Sequence, residues 1–190
     1  MTKLLKWTNA QTEFLGSLDW LVPTAARLLF AATLLNYYWA SGLTKLGDGL
    51  MGIFQPSVGA YVQIFPQLME SVSYSTSELS VFHWLVVVAG TWAEFILPAL
   101  LVLGLLTRLS ALGMIGFVVV QTLTDLYGHR LIEQNASVGA LFDRFPDSII
   151  LDQRSFWVFA LLVLVIKGAG PISLDRLFGR PAGVTPVTQS

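Results

Sequence analysis

Residues 81–106 read VFHWLVVVAGTWAEFILPALLVLGLL, an apolar run long enough to cross a bilayer core, which takes about 20 helical residues. One acid, Glu94, stands near its midpoint. An ionised carboxylate is expensive where water is excluded, so by default it marks a functional site and requires a partner elsewhere in the chain.

The composition agrees with a membrane setting. Hydrophobic residues make up 54% and charged residues 12% of the 190, and the mean hydropathy of +0.66 is that of an integral membrane protein. A net charge of −1 with no basic stripe argues against a nucleic-acid partner. The chain has no cysteine, which excludes disulfides, thiolate metal sites, iron–sulfur ligation and dithiol electron relays. Residues 1–20 carry Lys3 and Lys6, but Asn9, Gln11, Thr12, Glu13 and Asp19 interrupt any apolar core, which is not the pattern of a cleaved signal peptide.

Windows of about 19 residues place spans at 20–43, 82–106, 108–128 and 154–171. The predicted fold is all-α, a polytopic four-transmembrane-helix bundle forming one membrane domain over 20–178. A cytoplasmic or interfacial segment, 1–19, precedes it, and a disordered tail, 179–190, follows. The links at 44–80 and 128–153 are long and lie on one side, whereas Leu106-Thr107-Arg108 is a tight turn on the other. Lys3, Lys6, Arg108, Arg176 and Arg180 fall on the turn side, against Lys45, Arg130, Arg144 and Arg154, so the positive-inside rule puts both termini in the cytoplasm. Residues 49–69 are apolar but broken by Gly52, Pro56, Gly59 and Pro66, which predicts a helical or re-entrant segment lying as a lid over the outer mouth. The link 128–153 has polar turn chemistry and reads as an aqueous loop.

A rise of about 1.5 Å per residue puts Glu94 roughly 18 Å below the outer boundary and Arg27 roughly 10 Å above the inner one, levels that coincide in a core about 30 Å thick. Arg27 and Glu94 are therefore expected to pair. Lys167 reaches a similar depth, and either joins this layer, which is then positive enough to hold an anionic head group or a quinone carbonyl, or snorkels to the surface. The Arg27–Glu94 pair is either an interhelix clamp or a protonatable acid poised by an arginine. Trp92 and Pro98 flank Glu94 and should distort its helix. Nearer the outer surface, Asp125 and His129 share a helix face and His83 lies at about the same height. These three are candidate ligands for a divalent metal, or interfacial residues that pair with lipid and loop charges. Gln121, Thr122 and Thr124 add hydrogen-bonding capacity deeper in the third span.

Arg27-Leu28-Leu29-Phe30, Ser41-Gly42-Leu43-Thr44-Lys45-Leu46, Glu94 with residues 100–108 (LLVLGLLTR), and the closing residues 168–175 (GAGPISLD) together resemble the DoxX family of four-helix membrane proteins. The resemblance covers about 20–178 and implies Arg27, Lys45, Glu94 and Arg108 as the motif positions. It further implies a multi-pass protein of the bacterial inner membrane, in a family named for small subunits of a thiosulfate:quinone oxidoreductase, whose members accompany redox, oxidative-stress or metal-stress systems. The leading expectation is a membrane subunit of such a system engaging quinone. Glu94 and Arg27 would be the catalytic pair, and Arg27, Trp92, Glu94, Gln121 and Lys167 would line the site. The alternative is a non-enzymatic scaffold or transporter-like accessory that recruits an extracytoplasmic or membrane protein partner or a metal. A homo-oligomer is compatible with the small residues Gly104, Ser110, Ala111, Gly113 and Gly116.

Overall fold

Apolar residues recurring every three or four positions give the chain its helices. The computed structural model describes residues 18–179 together with Glu13 and Gly16, and no strand occurs among them. The expectations for the N-terminal segment and for the tail fall largely outside the described residues. The first helical run comprises α1 (Leu21–Phe30), a π-helical turn (Ala31–Leu35) and α2 (Asn36–Lys45). Its buried stripe, Pro23, Ala26, Phe30, Leu34, Tyr38, Gly42 and Lys45, keeps the helical period through the π turn. Then come α3 (Val58–Ile64), α4 (Pro66–Ser71), α5 (Val81–Leu103), α6 (Thr107–Leu123), α7 (Asn135–Val138), α8 (Arg154–Lys167) and α9 (Leu174–Phe178).

Among the described residues, three helices are long and apolar enough to cross a membrane: Val81–Leu103, Thr107–Gly128 and Ile149–Lys167. The protein is a multi-pass membrane protein in contact with the lipid bilayer. The α1–α2 run packs against α5 and α8, and α6 closes the ring between them. Phe30, Leu34, Tyr38, Leu101, Met114, Leu161 and Leu164 fill the centre. At one end, the turn end, Gly104 and Leu106 adopt left-handed conformations (φ 66° and 49°) and reverse the chain from α5 into α6. The opposite, cap end carries α3 and α4, whose Ala60, Tyr61 and Met69 bury Val87 of α5.

The two long links are more ordered than their composition suggests. Gly47 and Gly52 cross so closely that a Cβ on either would lie 2.0 Å from a carbonyl oxygen. The crossing is then strapped to α5, because the indoles of Trp84 and Trp92 donate to the carbonyls of Phe54 and Ile53, each at 2.8 Å. Link 128–153, expected as an aqueous loop, folds back: the Ser148 amide donates to Asp152 at 2.8 Å and Ser148 Oγ to the carbonyl of Val138 at 3.2 Å. Helical structure accordingly begins at Ile149, five residues before the expected start of the last span.

Candidate functional site

Glu94 lies on the inward face of α5 in register with Val87, Thr91, Pro98 and Leu101. Its partner is Lys45, the last residue of α2, whose Nζ donates to both carboxylate oxygens at 2.9 Å and to Ser41 Oγ at 2.7 Å. Ser41 Oγ donates to Glu94 Oε1 at 3.1 Å. Lys45 and Glu94 are 5% and 4% exposed, so this is a desolvated charge pair with its hydrogen bonds made. The α-helix runs unbroken through Pro98 rather than being distorted there, and Trp39 Nε1 donates to the carbonyl of Phe95 at 3.2 Å.

The expected Arg27–Glu94 layer does not form. Arg27 instead donates to four main-chain carbonyls: Leu101 (3.0 Å), Val102 (2.6 Å), Ala169 (2.8 Å) and Ile172. Two of these end α5 and two follow α8. The last carbonyls of a helix have no intrahelical donor and carry negative partial charge, and a guanidinium with five donors in a fork suits them better than one distant carboxylate. The depth estimate misjudged the match because Leu101 lies seven residues beyond Glu94, roughly 10 Å along the axis. Gly104 makes the approach possible, since a Cβ there would lie 2.7 Å from Arg27 Cζ.

Asp175 completes this node from the opposite direction. Its carboxylate accepts from the amides of Leu106 (2.6 Å) and Thr107 (2.9 Å), capping the start of α6 from a distant segment. Burial opposes its ionisation, but the Thr107 and Leu106 hydrogen bonds and the Arg27 charge outweigh that and hold its carboxyl below the usual range. Arg108 adds a bond to the carbonyl of Ile166 at 3.3 Å.

Lys167 does not reach the Glu94 level either. It pairs with Asp19 at 2.7 Å, both side chains being largely exposed, which is the snorkelling outcome. Trp92 serves the Ile53 strap described above. Gln121 donates to Tyr37 Oη at 2.8 Å. His83, Asp125 and His129 are not brought together as ligands. His83 Nδ1 meets Ser80 Oγ at 2.8 Å at the start of α5, His129 Nε2 lies 3.0 Å from the carbonyl of Gln63, and Asp125 pairs with Arg154. No cluster of three potential metal-binding acids and histidines occurs among the described residues.

Arg154 is a buried charge that sequence reasoning placed at the outer surface. It is 4% exposed and also donates to Thr122 Oγ1 at 2.8 Å. Its signal was present, because Arg154 stands seven and ten residues before the buried Leu161 and Leu164, on the same helical face. The inward spacing of Tyr38, Gly42 and Lys45 likewise pointed Lys45 into the bundle.

No curated protein and no solved structure matches the chain. A family model described as DoxX matches residues 22–125, a stretch that takes in Arg27, Lys45, Glu94 and Arg108. Matched over more than half of its length, the chain belongs to the DoxX family.

Proposed function

We propose that this protein is a non-enzymatic membrane scaffold, an accessory subunit of a redox or stress-response system in the bacterial inner membrane. Its cap end recruits an extracytoplasmic or membrane protein partner. In this reading the α1–α2 run is a fourth span, both termini face the cytoplasm, and residues 47–55 re-enter the outer leaflet along α5. The observation that carries it is the engagement of both Glu94 oxygens by Lys45, which makes the central acid a register-fixing clamp. The cap supplies a recruiting surface. Leu50, Met51, Phe142 and Phe145 are exposed there, and Tyr74 and Arg130 hold left-handed conformations beside a cavity of about 250 Å³ that Gln67, Glu70 and His129 also line.

The rival reading is a quinone site at Glu94, which requires Lys45 to release at least one carboxylate oxygen. Native mass spectrometry of the gently purified protein separates the two. A copurifying protein lost on Phe142→Ser or Leu50→Asp, with the fold intact, supports the scaffold. A stoichiometric quinone lost in Glu94→Gln overturns it.

A further inference from the structure

Between the first run, α6 and α8, toward the cap end, three buried polar atoms have no hydrogen-bond partner among the described residues: Tyr38 Oη, Gln121 Oε1 and Arg154 Nε. They come from three neighbouring helices, and the Tyr38 ring packs on both of the other two. The Tyr38 ring meets Phe117 at 5.7 Å and Trp157 at 6.4 Å between centroids. Phe117 lies one turn before Gln121, and Trp157 lies one turn after Arg154. Gln121 is tied to Tyr37, whose ring also meets Trp157 at 5.5 Å. Tyr38 is 1% exposed and Arg154 4%.

Backbone geometry singles out the same place. Each helix contributing to the cluster carries a π turn beside it: Ala31–Leu35 just before Tyr38, Thr124–Gly128 containing Asp125, and Ile149–Gln153 immediately before Arg154. Such turns widen a helix locally and gather at functional positions. Leaving a buried donor or acceptor unpaired is costly, so three together point to something that binds them.

We propose that this cluster is an internal hydration site, in which water bridges Tyr38, Gln121 and Arg154. The donor set defines the ligand. Tyr38 Oη–H and Arg154 Nε–H donate and Gln121 Oε1 accepts, which matches a molecule that accepts twice and donates at least once. Asp125 already balances the guanidinium charge, so the ligand is neutral. Enclosure by Phe117, Trp157 and the nearly inaccessible Tyr38 keeps it small. A buried water typically makes about three hydrogen bonds, the number offered here.

X-ray radiolytic labelling in bilayer nanodiscs, after rapid dilution into ¹⁸O-water, tests this directly. Slowly exchanging internal water delivers ¹⁶O to Tyr38 or Trp157, whereas bulk water delivers ¹⁸O. The expected result is ¹⁶O at these rings together with a fall in Tm of about 2–4 °C for Tyr38→Phe, the shift that one lost hydrogen bond makes in a chain of this size. If the hydroxyl is a dry orphan, the phenylalanine raises Tm and the rings take no ¹⁶O, which overturns the proposal. The labelling is read on the wild-type protein, so it decides where the two results disagree or where the variant fails to fold.

Discussion

Arg27 and Glu94 are both charges inside an apolar bundle, yet they are stabilised by different means. Among the described residues Arg27 has no side-chain counter-ion in hydrogen-bonding contact; four carbonyls at two helix ends accept its hydrogen bonds. Glu94 has one dominant partner, the Lys45 ammonium, with Ser41 beside it. The turn end therefore spreads a charge over backbone dipoles that the fold must expose anyway, whereas the middle of the bundle stakes two charges on a single contact. The two arrangements should fail differently.

The largest effect is expected at the single contact. Glu94→Ala or Lys45→Ala leaves an uncompensated buried charge and should cost about 3–5 kcal/mol, whereas Lys45→Met with Glu94→Leu should recover most of that loss. Thermal unfolding in bicelles measures all three. If the double variant is no more stable than the singles, the pair is not an isolated clamp and the contrast with Arg27 weakens.

Arg27→Lys keeps the charge but removes the fork, so one ammonium must serve carbonyls from two segments. Losing one charge-assisted bond should cost about 1.5–3 kcal/mol. A variant as stable as the wild type would mean that charge alone, not the spread of donors, holds the turn end.

Asp175 sharpens the comparison through pH. Its carboxyl is more acidic in the folded protein than in the unfolded chain. Its stabilising contribution is therefore fully present above the unfolded value, near pH 4, and drains away as pH falls through the lower folded value. Asp175→Ala should cost about 1–2 kcal/mol at neutral pH as a lost helix cap. It should also flatten the acid limb of a stability profile measured between pH 5 and 2.

The helices were legible because burial imposes a period on the sequence. The spans expected at 82–106 and 108–128 coincide closely with α5 and with α6 plus its π turn. The break-up of 49–69 into short helical pieces followed from its glycines and prolines, and Glu94 was correctly singled out as a buried acid. Its partner was not, because hydropathy assigns depth to a Cα while a lysine or arginine carries its charge some 6 Å from the backbone. Lys45 and Arg154, counted as outer-surface charges, turn inward; Arg27, counted as central, reaches toward the turn end, and Lys167 takes the snorkelling one of its two expected courses. The carbonyl partners of Arg27 had no side-chain signature at all. They are created by where α5 and α8 stop, which is a property of the assembled chain.

The smallest effect is expected where the comparison no longer applies. Lys167 and Asp19 form a contact as short as the Lys45–Glu94 pair, 2.7 Å against 2.9 Å, but in exposed side chains. Solvent screens the attraction, and ordering two long side chains offsets much of what remains. Lys167→Met should therefore change stability by no more than about 0.5 kcal/mol, with little dependence on added salt. A cost approaching that of Lys45→Ala would show that the turn end also depends on a single charge contact, and the division drawn between the two regions would not stand.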